Sequence, residues 1–153
     1  MQPFFEAYLD RLQFLHSEVE QALDNLPQAA LDWTPGPDMS SLAVLVIHLA
    51  GSEQFRTGDL ITRGASDRDR EAEFRVHGLD VAALKQRLAE VLADSRGTLE
   101  KLTMDDLAVT RVAPDNGQTY TVAWLLTQTM MHIALHVGHV QMMRQLWDQR
   151  STA

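Results

Sequence analysis

The sequence predicts an all-α protein, a four-helix bundle whose single domain covers residues 1–153. Apolar residues recur every three or four positions in four long segments, as they do along the buried face of an α-helix. Turn-forming sequences separate these segments, such as Trp-Thr-Pro-Gly-Pro at residues 33–37 and Pro-Asp-Asn-Gly at residues 114–117. No segment has the alternating pattern of a convincing β-strand.

The first two helices are predicted over Pro3 to Asn25 and from Ser40 or Ser41 to about Arg63. A proline suits the first helical turn, and a serine side chain can accept a hydrogen bond from the unpaired amides there. The buried stripe of the first helix is predicted to contain Phe5, Tyr8, Leu9, Leu12, Leu15, Val19, Ala22, Leu23 and Leu26. The buried stripe of the second is predicted to contain Leu42, Leu45, Val46, Leu49 and Phe55.

The third helix is predicted over about Val81 to Leu102, with Asp80 as its N-terminal cap. The last helix is predicted to begin near Thr119 or Thr121 and to end by Gln149.

The connections between the helices carry fewer signals. Gly64 to Gly78 is polar and predicts a long loop, with a short helical turn around Arg68 to Glu73. The charges from Asp67 to Glu73 are most simply read as a solvated surface. Leu107 to Val112 alternates weakly and is predicted to be a short extended segment.

Composition and charge exclude several classes of function. A formal net charge of −8 and a pI of about 5.1 argue against nucleic acids and anionic membranes, because both bind basic surfaces. The absence of cysteine excludes disulfides, thiolate metal ligands and a cysteine nucleophile. No signal-peptide pattern appears, and the longest apolar run, Leu42 to Ala50, is too short to cross a bilayer. We therefore expect a soluble, cytoplasmic protein.

The last helix carries three histidines, His132, His136 and His139. An α-helix advances about 100° per residue, so His136 lies roughly 40° from His132 and His139 roughly 20° to the other side. The same side carries Leu125 and Met143, so the stripe is expected to face the interior. Buried imidazoles need polar partners, and a metal ion is the simplest partner that accepts several imidazoles at once.

A third imidazole ligand is expected from another helix. His48 is the best candidate because it lies inside the apolar stripe of the second helix, and His16 is second. His16 lies at the edge of its stripe and is expected to be half exposed, whereas His77 lies in a polar loop and is expected to be solvated. A single inward-facing histidine is more often a hydrogen-bonded core residue than a ligand, and this alternative stays open for His48.

These motifs together resemble the DinB-like (damage-inducible protein B) family of metalloproteins. The resemblance covers nearly the whole chain and rests on the Trp-Thr-Pro turn at residues 33–35, the apolar Leu-Val-Ile-His48-Leu-Ala, and His132-x-x-x-His136-x-Gly138. It implies a four-helix bundle in up-down-down-up order and one divalent metal held by His48, His132 and His136. Members often have Gln where this chain has His139, and a role near the metal, without ligation, is favoured for that residue.

The resemblance also implies a class of chemistry. Some members of the family are thiol-dependent transferases or isomerases, in which the metal activates a low-molecular-weight thiol. We therefore expect a metal-dependent transferase or hydrolase-like enzyme that acts on a small molecule, with Zn²⁺ as the metal and Ni²⁺ or Fe²⁺ as alternatives. His139 is the candidate catalytic base, and Ser52 or Gln128 is expected to orient a substrate or a ligand imidazole.

Two other interpretations stay open. In one, the protein is not catalytic, and a metal or a ring of hydrogen-bonded histidines only ties the helices together. In the other, the bundle binds haem or another ligand through a histidine and one of its methionines.

Assembly is predicted from the last helix, whose apolar residues also lie away from the histidines and suggest burial on more than one side. They are Trp124, Met131, Val137, Val140 and Trp147. Because relatives with this bundle are commonly dimers, we expect a homodimer.

Overall fold

A computed structural model describes residues 1–63 and 65–150 and confirms the four-helix bundle. In chain order the α-helices are α1 (Pro3–Leu23), α2 (Gln28–Asp32), α3 (Leu42–Glu53), α4 (Arg70–Glu73), α5 (Val81–Leu99) and α6 (Val122–Gln149). A π-helical segment (Gln54–Arg63) continues α3, and a 3₁₀ turn (Met104–Ala108) follows α5. The bundle itself consists of α1, α3 with its π-helical segment, α5 and α6.

Contacts between the long helices fix their directions. They are the hydrogen bonds Tyr8–Leu126 (2.9 Å), Gln141–Glu18 (2.8 Å) and Thr57–Thr129 (3.5 Å), the ion pair Lys85–Asp24 (2.6 Å) and the ring contact His48–His136 (5.1 Å). In the contacts between α1 and α6, the residue numbers rise in the same direction along both helices, so these helices are parallel. In the contacts between α3 and α6, the residue numbers rise in opposite directions, so these two helices are antiparallel. The start of α5 contacts the end of α1, so α5 is antiparallel to α1. The helices therefore run up, down, down and up, as the resemblance implies.

The core lies between the four helices and is built from their predicted apolar stripes. Leu12, Leu49, Leu88 and Ile133, one from each long helix, have no exposed surface. Burying a side chain of this size contributes about 1.5–3 kcal/mol to the free energy of unfolding, so the burial of these four residues stabilises the bundle. In the described part of the chain, no helix is long and apolar enough to span a bilayer.

The second predicted helix is correct in extent but changes its winding. It is α-helical only to Glu53, and Gln54–Arg63 is π-helical. In a π-helix, residues five apart face the same side, which suits the buried pair Phe55 and Leu60. A β-carbon at Gly58 would overlap the Asp94 carboxylate of α5, so this segment approaches α5 closely. Periodicity in the sequence could not separate the two windings, because apolar spacing over ten residues fits both.

A short hairpin was not expected from the sequence. Strands β1 (Thr110–Val112) and β2 (Thr119–Thr121) pair antiparallel, with Arg111 opposite Tyr120. The predicted turn joins them, with Gly117 in the left-handed region at φ 69°. Each strand has only three residues and no buried face, so the sequence has almost no alternation of apolar and polar residues that would predict a strand. The predicted extended segment, Leu107 to Val112, is a strand only over its last three residues.

Candidate metal centre

His48 of α3 meets His132 and His136 of α6 at one place in the bundle. One ring nitrogen from each histidine can be chosen so that all three lie within 4.8 Å of one another. The i, i+4 spacing stacks the two α6 rings with centroids 4.4 Å apart. The antiparallel packing of α3 brings the His48 ring to 5.1 Å from each of them. Two helices distant in sequence thus supply a compact group of three imidazoles.

Glu73 of α4 holds His48 in one orientation. Its Oε2 lies 2.8 Å from Nδ1 of His48, and Arg68 binds the same carboxylate through Nε (2.6 Å) and Nη2 (2.8 Å). Burial raises the pKa of Glu73, but the hydrogen bonds from His48 and Arg68 outweigh burial and lower it. An ionised Glu73 accepts a hydrogen bond from Nδ1, so Nε2 of His48 keeps its lone pair for a metal.

The site for Glu73 depends on a glycine in α3. A β-carbon at Gly51 would overlap Oε1 of Glu73, so the carboxylate packs directly on the helix backbone. Glu73 is only 7% exposed, which corrects the prediction that the charges from Asp67 to Glu73 form a solvated loop. The one available signal in the sequence was a glycine three residues after His48, inside an otherwise apolar helix.

The imidazoles of His132 and His136 stay neutral over the physiological pH range. Burial, then the Arg56 guanidinium and the neighbouring imidazoles, lowers the pKa of His132 to about 3. Burial and the rings of His48 and His139 lower the pKa of His136 to about 4. Neutral imidazole is the form that binds metal.

One buried nitrogen atom in this group has no hydrogen-bond partner among the residues described, which is consistent with a site for a bound ion. Nδ1 of His132 is buried and has no hydrogen-bond partner within residues 1–63 and 65–150. A buried polar atom without a partner is costly, and a bound cation would reduce the number of unpaired polar groups around it. Three imidazoles from rigid helices, one of them oriented by a carboxylate, fit a divalent transition-metal ion.

The remaining histidines are not members of this group of three, although one of them borders it. His139 is exposed, and its Nδ1 lies 3.4 Å from Nδ1 of His136, at the rim of the cluster. His16 is 1% exposed, not half exposed as expected, because Nε2 contacts Oε2 of Glu53 at 2.6 Å in the bundle core. Ser95 donates to the other oxygen of Glu53 at 2.6 Å, so α1, α3 and α5 meet in one buried polar network. His77 is exposed, as predicted.

Within the described residues, a cavity and a groove border the histidines. A cavity of about 290 Å³ borders His48 and His132 and is closed on other sides by Ser52, Arg56 and Tyr120. The hairpin supplies one wall of this cavity, which was not expected from the sequence. On the other side, an apolar groove of about 310 Å³ borders His136 and His139 and is lined by Met39, Leu45, Met142 and Met143. Of the two residues expected to orient a substrate, Ser52 lies in the cavity wall.

The protein thus belongs to a class of small helical bundles in which two helices bring three histidines together. A family model for the DinB superfamily matches residues 11–140. The chain therefore belongs to the DinB superfamily. No curated protein matches the sequence closely enough to count as a relative.

Solved structures share this fold at low sequence identity. A conserved protein from Enterococcus faecalis superposes with a TM-score of 0.75 at 17% identity, over 95% of this chain and 98% of the other. YfiT from Bacillus subtilis, described as a probable metal-dependent hydrolase with an unusual four-helix bundle topology, gives a TM-score of 0.76 at 17% identity, over 97% and 90%. A mutant of the mycothiol-dependent maleylpyruvate isomerase gives 0.67 at 14% identity, over 90% of this chain and 62% of the other. These similarities establish the fold.

Proposed function

We propose that this protein is a metal-dependent enzyme that acts on a small molecule, with one divalent ion held by His48, His132 and His136. The observation that carries the proposal is the convergence of three imidazole nitrogens within 4.8 Å, beside a cavity large enough for a small substrate. The orientation of His48 by Glu73 adds to it, because a carboxylate behind a ligand imidazole is typical of metal sites.

The chemistry proposed is activation of a thiol or of water. A divalent ion with three imidazole ligands and an open position acts as a Lewis acid and lowers the pKa of a thiol or water that it binds. The structural neighbours support both versions, since one is described as a probable metal-dependent hydrolase and another as dependent on mycothiol. We propose Zn²⁺ as the metal, with Ni²⁺ and Fe²⁺ as alternatives, and a low-molecular-weight thiol as a substrate.

The protein's own residues have two roles in this proposal. The cavity wall and the bundle core keep bulk water away from one side of the histidines, while the exposed rim leaves a path for a proton. His139 lies at that rim beside His136, and we assign it the role of the base that accepts the proton lost by the thiol or water.

Elemental analysis of protein purified without a histidine tag tests the metal site. We expect about one zinc, nickel or iron per chain, and the loss of that metal in His132→Ala and His48→Ala. His77→Ala is the matched control, because His77 is exposed and is not a member of the three-histidine group. A wild-type protein without metal, or His48→Ala protein with full occupancy, would overturn the assignment of ligands.

A non-catalytic role is the second candidate, because an ion held by His48, His132 and His136 would cross-link α3 to α6. Thermal unfolding with and without a chelator separates the two roles. A large loss of Tm on chelation, together with no turnover of any thiol–electrophile pair or ester, would favour the structural role. Turnover that disappears in His139→Ala, with metal retained, would favour the enzyme.

The homodimer is a separate proposal and rests on an exposed apolar face of α6. Val137, Val140 and Trp147, three of the five residues that suggested it, are buried in the protein's own core. Exposed apolar side chains nevertheless form one stripe along α6: Trp124, Met131, Leu135 and Met142. Their seven- and four-residue spacing is that of a helix–helix seam. Light scattering should give twice 17.2 kDa, and Leu135→Glu should give 17.2 kDa; a wild-type monomer would refute the proposal.

A further inference from the structure

Three arginines reach the cavity beside the histidines, and two of them are already engaged. Arg68 binds both oxygens of Glu73 with a two-point contact. Arg70 has a side chain that is 60% exposed, lies 3.7 Å from Glu71 and covers the ring of Phe74. These two guanidiniums have partners in the protein or in solvent. The third, Arg56, differs from both.

Arg56 is partly buried and is not in a direct ion pair within the described part of the chain, although the Asp115 carboxylate lines the same cavity and acts on its charge from a greater distance. It lies in the π-helical segment and donates one hydrogen bond, from Nη1 to Oγ of Ser52. No carboxylate among the described residues lies within ion-pair distance of it. Burial and then the Arg68 guanidinium lower the pKa of Arg56, and the Asp115 carboxylate opposes this shift only in part. A guanidinium has five N–H donors, so most of those on Arg56 are left for another acceptor.

The surroundings of Arg56 favour an anion as that acceptor. A partly desolvated guanidinium that makes no direct ion pair is costly, and an arginine fork matches the two oxygens of a carboxylate. The protein has a net charge of −8, yet the charged side chains described along this cavity are three arginines and one carboxylate, Asp115. The cavity is thus a local positive site in an acidic protein, and it lies next to the proposed metal.

We propose that Arg56 is an anion-binding residue of this cavity, and that the substrate is a small carboxylate whose carboxylate group it binds while the reacting end lies at the histidines. This inference rests on the proposed function, because it names the class of substrate for that same site. The hydrogen bond to Ser52 holds the guanidinium in place before a ligand arrives, which reduces the entropy lost on binding.

Aromatic residues in the cavity wall indicate the body of such a substrate. Tyr120 of β2 and Trp124 of α6 stack with centroids 4.0 Å apart and planes 17° from parallel. Both rings line the cavity, as does Phe55, so aromatic side chains form part of its wall. A planar or apolar group can pack there while its carboxylate reaches Arg56. A small carboxylate with a planar body fits a space of about 290 Å³.

An NMR titration with benzoate tests the inference without a catalytic assay. The protein is used metal-free, after chelation, so that a carboxylate cannot be bound by the ion. Binding is followed by the indole N–H signal of Trp124. We expect saturable binding of benzoate, at least about tenfold weaker binding of the neutral analogue benzamide, and a loss of about tenfold or more in Arg56→Gln. Arg75→Gln is the matched control, because Arg75 is exposed and does not line the cavity, and it should stay within about twofold of the wild type.

Two further samples keep the outcomes distinct. Arg56→Lys retains the charge but not the fork, so its affinity should lie between those of the wild type and Arg56→Gln. Inorganic phosphate is titrated in parallel, and tighter Arg56-dependent binding of phosphate than of benzoate would overturn the carboxylate assignment. Equal affinity for benzoate in Arg56→Gln and wild type would overturn the role of Arg56. Elemental analysis of the same preparations before chelation reports separately on the proposed metal centre, so the failure of one proposal is not mistaken for failure of the other.

Discussion

His48 donates a hydrogen bond from Nδ1 to Oε2 of Glu73, over 2.8 Å, in a site that is almost closed to solvent. The contact joins α3 to α4, the short helix that follows the π-helical segment. It fixes both the ring orientation and the tautomer of the imidazole. The carboxylate is held in turn by Arg68, so the order of the proposed metal centre depends on residues outside the three proposed ligands.

Removal of the Glu73 carboxylate should weaken metal binding. We expect Glu73→Ala to bind Zn²⁺ about 10–100-fold more weakly, because the His48 ring loses the group that orients it. Competition with a chromophoric chelator measures the change. Glu71→Ala is the control, since the Glu71 side chain is 75% exposed and should leave the affinity unchanged. An unaltered affinity in Glu73→Ala would show that His48 does not need this partner.

A β-carbon at Gly51 should act on the metal through Glu73. We expect Gly51→Ala to weaken Zn²⁺ binding by about tenfold, because the new methyl group occupies the position of Oε1 and displaces the carboxylate. The double variant with Glu73→Ala should add little, since both changes break the same contact. Gly97→Ala in α5 is the control: a β-carbon there meets no other atom, and the variant should gain up to about 1 kcal/mol of helix stability. Additive losses in the double variant would contradict this coupling.

Acid should destabilise the metal-free protein through its buried imidazoles. The folded-state pKa values of His132 (about 3) and His136 (about 4) lie below the ordinary value near 6.5. As the pH falls below about 6.5, the unfolded chain therefore takes up protons that the folded chain does not, and the free energy of unfolding decreases. The stability is fully present above that pH and is lost towards the folded-state values.

Urea unfolding at pH 7.0, 5.5 and 4.5 measures this dependence. A double variant with His132→Gln and His136→Gln should lose less stability over the same range, because carboxylate titration is common to both proteins. Parallel curves for the two proteins would show that these imidazoles do not have depressed pKa values.

The buried pair of His16 and Glu53 should support the fold and not the metal. We expect His16→Ala to lose about 3–5 kcal/mol of stability, because Glu53 would keep only Ser95 as a partner in the core. Metal content should stay at that of the wild type, which distinguishes this histidine from the proposed ligands. Chemical denaturation and elemental analysis on the same sample test both parts, with His77→Ala as the exposed control. Loss of metal in a folded His16→Ala protein would reopen its candidacy as a ligand.

Regular packing explains which parts of the fold could be predicted from the sequence. Helix spacing located α1, α5 and α6 to within a few residues, because one face of each is buried along its whole length. The end of α1 differs from the prediction, since Asn25 adopts a left-handed conformation at φ 59° and the helix stops at Leu23. The same periodicity put His48, His132 and His136 on inward faces, and antiparallel packing of α3 on α6 then brings them together.

The surroundings of the histidines could not be predicted because they depend on contacts distant in sequence. Glu73 is buried only because Gly51 leaves room for it and Arg68 neutralises it, and neither condition is visible in a polar loop. His16 was expected at a half-exposed edge, but the buried carboxylate of Glu53 holds it inside. Arg56 lines the cavity from the π-helical segment, and the change from α-helical to π-helical winding leaves no pattern of apolar spacing in the sequence.

The change from α-helical to π-helical winding separates the proposed ligand from residues of the cavity wall. Both lie on one continuous helix, but each part has its own winding. His48 lies on α-helical turns before the change, and Arg56 and Leu60 lie after it. A π-turn contains a surplus residue relative to an α-turn, so insertion or deletion of one residue there can be absorbed by rewinding. Such a change would rotate the wall and present different side chains to a substrate while His48 keeps its place. Selectivity for substrates can thus diverge in this bundle without any alteration of the histidines.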